Sequence, residues 1–353
     1  MEKAILLSQT PEELAAWLTA QGQPRFRAGQ VFSWLHKGAE FSEMSNLPAA
    51  LRQTLSEQAI AQPVTLHQAV PSRMDDTVKF LFALPDDNII ESVLMHYHYG
   101  YTLCISTQVG CQMGCAFCAS TLNGCVRSLE TGEMLGQILA ANRFLGEKGK
   151  VGHVVLMGSG EPMNNYDNVV KFLRLVNRPE GLGISLRNIS VSTCGVVPRI
   201  RQLMGEGLPI TLSISLHAPN DEIRRQLMPV AKAYPMDEML AAVREYVRET
   251  GRRVVFEYAM VDGLNSSVEN ARELARRIGG MQCHVNLIPL NHVEESPLQP
   301  ASPATVQRFL QTLESLHISA TCRREMGDDI GGACGQLRNR VLKNGRKPDK
   351  LNG

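Results

Sequence analysis

Between residues 101 and 290 the sequence keeps one rhythm, a short β-type run, a loop, then a longer stretch with helical spacing. The β-type runs are "YTLCIST", "GHVVLM", "NISVST", "ITLSISL", "RVVFEYAMV" and "HVNLIPL". Helical stretches such as "GEMLGQILAANRFLG", "NNYDNVVKFLRLVN", "PMDEMLAAVREYVRE" and "SSVENARELARRIGG" separate them. Strands that alternate with helices pair in parallel, because each helix carries the chain back to the same end of the sheet. Six such units fall short of the eight that close a barrel. The expectation is an α/β fold, a partial (β/α)6 TIM-like barrel, with "ISATCRRE" as an extra strand after the helix "PATVQRFLQTLESLH". A flat, doubly wound sheet is the alternative.

The chain ahead of this core reads differently. In "TPEELAAWLTAQG", Thr10 caps a helix with Pro11 at its first position and Glu13 completing a capping box, and Gly22 stops it. "RFRAGQVFSWLHKG" and "LPAALRQTLSEQA" continue the helical spacing. "VKFLFAL" and "NIIESVLMHY", joined across Asp86 and Asp87, read as a β-hairpin. The expected organisation is a small helical accessory domain over 1–62, a hairpin linker over 63–96, a core over 97–335 and a basic tail over 336–353. The stripe Arg25, Phe26, Arg27, Trp34, His36 and Lys37 suits either RNA contact or, for Phe26 and Trp34, a place in the core, and the core reading is the one expected.

The 353 residues suit one large α/β domain with a smaller accessory unit. With 36 Lys and Arg against 35 Asp and Glu, the net charge of +1 selects no polyanionic partner, so any RNA surface must be local. No apolar run is long enough to span a membrane, and "MEKAILLSQTPEEL" is too weakly apolar for a secretory signal. A soluble, cytoplasmic chain is expected. In a reducing compartment its nine Cys would remain available to metal or redox chemistry.

Three of them stand together in "GCQMGCAFCAS": Cys111, Cys115 and Cys118, in a C-x3-C-x2-C pattern just after the first strand. That is the C-terminal rim, where barrels of this kind carry their active sites. Structural zinc takes four ligands, commonly from paired knuckles, and no second C-x2-C follows. A [4Fe–4S] cluster on three thiolates leaves one iron open to a small molecule. The other strand ends bring "LMGSGEP", "SVSTCG", "SISLHAPN" and "LIPLN" to the same rim. Each is ordinary turn chemistry alone, and their common placement is the informative part.

"CQMGCAFC", with an aromatic before its last Cys, resembles the signature of the radical S-adenosylmethionine (SAM) superfamily. "YTLCISTQVGCQMGCAFC" together with "RREMGDDIGGACGQLR" resembles the RlmN/Cfr family of RNA adenine methyltransferases, and the likeness extends to the N-terminal "FRAGQVFSWLHKG". The resemblance implies a radical SAM barrel with a [4Fe–4S] cluster on Cys111, Cys115 and Cys118. It implies SAM contacts from Gly160, Glu161, Ser192, Ser215, Leu216, His217 and Asn291. Cys334 matches the Cys that becomes S-methylated, Cys104 the resolving Cys, and Glu91 the proton acceptor. For Glu91 the residues alone leave two readings open, function or an edge-strand side chain facing water. Cys322 and Cys283 read as small core residues. Cys125 and Cys194 match no role.

An adenine ring carbon has no lone pair to take a methyl cation, which excludes the polar transfer used on nitrogen. The resemblance implies two SAM per turnover. One methylates Cys334; the other, at the cluster, yields the radical that activates the S-methyl group for addition to the base. Glu91 then removes the ring proton, and Cys104 releases the product through a transient disulfide. The implied partners are 23S rRNA, tRNA at the adenosine beside the anticodon, and an electron donor such as flavodoxin or ferredoxin, with the chain a monomer. Candidate phosphate contacts are Arg224 with Arg225, Arg252 with Arg253, Arg323 with Arg324, and the tail Arg338, Arg340, Lys343, Arg346 and Lys347. The nearest rival is Cfr-type C8 methylation of the same adenosine, against which Val109 in "TQVGC" favours the RlmN side. An iron–sulfur electron carrier and an RNA-binding scaffold are rivals of another class. Departures from the family pattern are Ser159 in "GSGEP" where Met is usual, the absence of an aromatic and Pro around Asn291, and the extra thiol of Cys125.

Overall fold

The computed structural model describes residues 3–291, 293, 295–324, 326–332, 335–337 and 340–341, the last two as backbone only. Its N-terminal unit packs α1 (Pro11–Ala20), α2 (Arg27–Leu35) and α3 (Ala49–Gln58), tied by the parallel pair β1 (Ala4–Ile5) and β2 (Ala59–Ile60). The capping box is present: Glu13 N donates to Thr10 Oγ1 and Thr10 N to Glu13 Oε2, at 3.2 and 2.8 Å. Leu14, Leu18, Val31, Phe32, Leu35 and Leu55 bury the facing sides in a core continuous with the barrel's. At Gly132 of the following barrel a Cβ would stand 2.7 Å from Ile5 Cγ2 and 2.9 Å from Ser8 N, so only glycine allows the approach.

A three-stranded antiparallel ribbon follows, β3 (Thr65–Pro71), β4 (Val78–Ala83) and β5 (Asn88–Tyr97). The hairpin β4–β5 is as expected; β3 is additional. Its residues are mostly exposed, so no alternation of apolar side chains marks it in the sequence. Next come β6 (Gly100–Cys104), the short hairpin β7 (Gln108–Gly110) and β8 (Cys125–Ser128), and α4 (Thr131–Leu145). The remaining units are β9 (Val151–Leu156), α5 (Tyr166–Val176), β10 (Ile189–Thr193), α6 (Val197–Met204), β11 (Thr211–Ser215), α7 (Asp221–Leu227) and α8 (Met236–Thr250). After them stand β12 (Val254–Met260), α9 (Val268–Ile278), β13 (Cys283–Pro289), α10 (Pro303–Ser315), β14 (Ala320–Cys322) and β15 (Arg340–Val341). The short α6 and α7 have no counterpart among the expected helices.

The sheet runs β14-β13-β12-β11-β10-β9-β6-β5-β4-β3, and its strands from β6 to β14 are parallel. This order follows the sequence in one direction with no reversal, which excludes the doubly wound alternative. The six β/α units stand as expected, and β14 is the extra strand. The ribbon continues the same sheet through β5, which pairs antiparallel with β6. The chain beyond β14 returns across the sheet to the ribbon: Gly327 N donates to Asp75 Oδ2, Ser72 Oγ to Asp329 Oδ1 and Arg73 N to Asp329 Oδ2, at 3.1, 2.7 and 2.9 Å. It then reaches the Cys loop, where Ala119 N donates to Gly335 O and Ser120 Oγ to Leu337 O, both at 2.7 Å. Among the described residues no helix is long and apolar enough to cross a membrane.

Candidate active site

Each parallel strand ends at one rim, and the segment after β6 is locked to the segment after β9. Gly158 N donates to Ile105 O, and Thr107 N and Gln108 N both donate to Ser159 O, at 3.0, 2.8 and 3.1 Å. Gly160 has φ +108°, and a Cβ there would stand 2.7 Å from Gln108. The turn therefore requires glycine for both conformation and space. The Cys loop is held between β7 and β8, with Cys111 N donating to Gly124 O at 3.0 Å and Ala116 N to Leu227 O at 2.9 Å.

Cys111, Cys115 and Cys118 all line one cavity of about 160 Å³. Burial pushes the Cys111 thiol up to about 12, with the charges of Cys118, Glu161 and Cys125 acting in the same direction. Burial likewise holds Cys115 well above the ordinary thiol value, followed by the charges of Cys118 and Cys111. Three thiolates this close repel one another and need a compensating cation, which suits an iron–sulfur cluster. Among the described residues no three His, Cys, Asp or Glu side chains converge to hold a lone metal ion. A cluster makes a different demand, one thiolate per separate iron.

Glu161, Ser192, Ser215, His217 and Asn291 line the same cavity, as does Gly160. Glu161 accepts from Cys194 N at 2.8 Å and Met163 N at 3.0 Å; burial raises its carboxyl against those bonds. Ser192 and Ser215 hydroxyls stand 3.4 Å apart across β10 and β11. His217 has φ +55° and accepts from Ala259 N through Nδ1 at 2.9 Å. Burial, then the charge of Arg224, lowers His217 to about 3, so its ring is neutral and carries its proton on Nε2. Leu216 is buried and lies outside the cavity lining; its N–H donates to Glu257 O.

One functional candidate, Glu257, escaped the sequence reading, and another, Arg224, was given the wrong role by it. Glu257 lines the cavity, accepts from Asn286 Nδ2 at 2.7 Å and is raised by burial against the charge of Arg323. A carboxylate inside the apolar run "VVFEYAM" was the available signal. Arg224 is 0% exposed and donates from Nη2 to Cys194 O at 2.7 Å, placing a cation behind the thiols. This corrects its reading as a phosphate contact. The spacing to buried Leu227, three residues on, was the signal. Cys194 also lines the cavity, and Cys125 sits half-buried opposite Gly110.

A second chamber of about 50 Å³ adjoins the first and shares Cys118, Ser120, Met157, Asn291 and Gly335 with it. Cys104, at the end of β6 and buried, lines this chamber with Val93 and Met95 of β5. Cys334 lies outside the described residues, and its neighbour Gly335 borders both chambers. Glu91 is 1% exposed, on a strand flanked by β4 and β6. That removes the reading as a solvent-facing edge residue. Its Oε2 stands 4.0 Å from Lys79 Nζ.

Away from the rim, Phe26 is 63% exposed with the Arg27 guanidinium 4.9 Å over its ring, which corrects its assignment to the core. Trp34 is half-buried, donates to Asn46 Oδ1 at 2.7 Å and carries Lys37 Nζ 5.6 Å over its ring. His36 is core, lowered to about 4 by burial. Cys322 is exposed and Cys283 half-buried, so neither is the core residue expected. Of the tail cations, Arg338, Lys343, Arg346 and Lys347 lie outside the described residues, and Arg340 is described only as backbone paired with Ile89.

Comparison with known proteins agrees with this geometry. The radical SAM superfamily model matches residues 105–277, and that of the ribosomal RNA large subunit methyltransferase N-terminal domain matches 5–61. The probable dual-specificity RNA methyltransferase RlmN of Alkaliphilus oremlandii is 50% identical over 345 residues, covering 98% of this chain and 100% of that protein. Its counterpart in Symbiobacterium thermophilum is 52% identical over 335 residues, with 94% and 90% covered. The crystal structure of a radical SAM methyltransferase from Sphaerobacter thermophilus superposes with a TM-score of 0.92 at 43% identity, covering 95% of this chain and 99% of that one. A [4Fe–4S] cluster and SAM are the cofactors such membership implies, and RNA the substrate. Sharing half its residues with these relatives over nearly its whole length, the chain belongs to the RlmN family of radical SAM RNA methyltransferases.

Proposed function

We propose that this enzyme methylates C2 of an adenosine in 23S rRNA, and the adenosine beside the anticodon in tRNA, through a methylated Cys334 and a covalent protein–RNA adduct. The observation that carries the reading is the junction of the two chambers: the cavity of the three thiols and the chamber of Cys104 share Cys118 and Gly335, next to Cys334 in sequence. In this reading Cys111, Cys115 and Cys118 hold the cluster. Gly160, Glu161, Ser192, Ser215, His217 and Asn291 surround SAM, with Leu216 behind them in the core and neutral His217 offering an Nε2–H donor. When bound, the cluster and SAM supply a one-electron reduction and the 5′-deoxyadenosyl radical.

This chain's own residues then divide the work. Cys334 takes a methyl group from a first SAM by displacement and, once activated with the help of a second, bonds through that carbon to the base. Glu91, buried beside the chamber, receives the ring proton. Cys104, as its thiolate, attacks the Cys334 sulfur. The sulfur–methylene bond breaks, and its electron pair passes to the carbon on the base, which takes up a proton to become the methyl group. A transient Cys104–Cys334 disulfide is left. The target base must leave its stack to reach this interior, which favours single-stranded or partly unfolded RNA. Exposed Arg25, Phe26 and Lys37, with half-buried Arg27 and Trp34, offer aromatic and basic groups suited to such RNA. A flavodoxin or ferredoxin supplies electrons, and the chain acts as a monomer.

The test is mass analysis of protein and product after anaerobic purification. Peptides should carry one methyl group on Cys334, and the nucleoside should co-elute with the C2 standard. Cys334→Ala should cleave SAM and make no adduct, and Cys104→Ala should accumulate the adduct. Product at C8 overturns the site of methylation; normal turnover by either variant overturns the assigned roles.

A further inference from the structure

Lys79 is the buried cation next to Glu91. It is 3% exposed, on β4, where the register sets it opposite Val93. Directly opposed residues of an antiparallel pair share a face, and residues two apart on a strand do as well. Lys79, Glu91, Val93 and Met95 therefore project on one side of the sheet, the side on which Val93 and Met95 line the Cys104 chamber. Lys79 Nζ stands 4.0 Å from Glu91 Oε2 and donates to Gly331 O at 3.2 Å. Gly331 lies three residues before Cys334. One ammonium thus touches both the carboxylate and the segment that leads to the reactive thiol.

A lysine buried this completely is rare unless paired, and its charge favours the ionised form of a neighbouring carboxylate. Only an ionised carboxylate can take a proton. We propose that Lys79 is a positioning residue for proton removal, holding Glu91 ionised and aimed at the ring carbon of the RNA adduct. The inference rests on Glu91 being the acceptor. In the step itself the ring C–H bond breaks, an O–H bond forms on Glu91, and the electron pair stays in the ring.

Three variants separate the charge from the carbonyl contact: Lys79→Met loses both, Lys79→Gln keeps an amide donor without charge, and Lys79→Arg keeps the charge. Reconstituted full-length enzyme would be assayed with RNA for cluster content, 5′-deoxyadenosine, Cys334 methylation and covalent adduct on denaturing gels. Lys79→Met and Lys79→Gln should load cluster and cleave SAM normally while resolving the adduct at least about tenfold more slowly. Lys79→Arg should restore resolution. Normal resolution by Lys79→Gln, or parallel loss of cluster and SAM cleavage in all three variants, overturns the inference. Glu91→Gln tells the two readings apart. If it accumulates adduct while Lys79→Met does not, only the role of Lys79 fails; if it turns over normally, the role of Glu91 fails first.

Discussion

Around the three thiols, polar groups are held by neighbouring strand ends: Glu161 by Cys194 N and Met163 N, His217 by Ala259 N, the turn at Ser159 by Thr107 N and Gln108 N. Around Cys104 and Glu91 the walls come from distant parts of the chain, a ribbon that extends the sheet and a segment that returns from β14 to meet it. The first half is built by the barrel. The second is assembled across it, by contacts spanning more than two hundred residues, such as Lys79 with Gly331 and Ser120 with Leu337. A cofactor half hydrogen-bonded between adjacent strand ends, beside a separately assembled transfer half, suits an enzyme that must keep its cofactors in place while a large substrate becomes covalently attached and then leaves.

The bluntest way to test that division is Cys115→Ala. The thiol faces a cavity, so the barrel should stay folded, with thermal unfolding close to wild type. Visible cluster absorbance and SAM cleavage should vanish completely. An equal collapse of folding would mean that the cluster loop supports the barrel, contrary to the comparison.

Gly160→Ala attacks the same half through the backbone. Its Cβ would meet Gln108 at 2.7 Å, with φ at +108°. The substitution should cost about 2–4 kcal/mol in urea unfolding and lower cluster retention. Asp329→Ala acts on the other half, removing the bonds from Ser72 Oγ and Arg73 N. SAM cleavage should survive, while methylated RNA falls about tenfold because the thiol on the returning segment is displaced. Loss of both activities in step would erase the distinction between the halves.

The two halves were unequally legible in the sequence. Strand and helix rhythm, the Cys spacing and the glycine turns are local signals, so the barrel, the rim and the thiol cavity could be read from residues alone. Nothing local links Glu91 to Cys104 or to residues near 334; sheet pairing and the returning segment bring these regions together, and only resemblance to a family suggested it. Strand β3 escaped because an exposed edge strand has no apolar face. Arg224 was misread because paired arginines on a helix usually face water, and Phe26 because an aromatic usually does not.

Acid should strike the cofactor half and the accessory unit through two buried imidazoles. His217 is lowered from 6.5 to about 3 by burial and by Arg224, and His36 to about 4 by burial and by Arg178. Unfolded chain binds these protons near the ordinary histidine value, while the native state refuses them until far lower pH. Stability is therefore full above about pH 6.5 and falls below it, by up to about 1.4 kcal/mol per pH unit for each ring. His36→Leu should flatten the slope between pH 6.5 and 4 by one proton, and His217→Asn should do so down to about pH 3. Unchanged slopes in urea titrations would show the rings to be protonated in the native state.

The smallest effect belongs to Ser159. Its N–H and C=O hold the two rim segments together, donating to Ser106 Oγ and accepting from Thr107 N and Gln108 N. Its side chain does something else. At 2% exposure, the Oγ has no hydrogen-bond partner among the described residues, and Ser159 is outside the lining of both chambers. A buried hydroxyl without a partner keeps its desolvation cost, so Ser159→Ala should raise stability by up to about 1 kcal/mol. SAM cleavage should be unchanged, since the cavity loses nothing. A fall in stability would give the hydroxyl a structural bond; a fall in SAM cleavage alone would mean that the cofactor half depends on side chains behind its rim as well as on the backbone contacts that hold it.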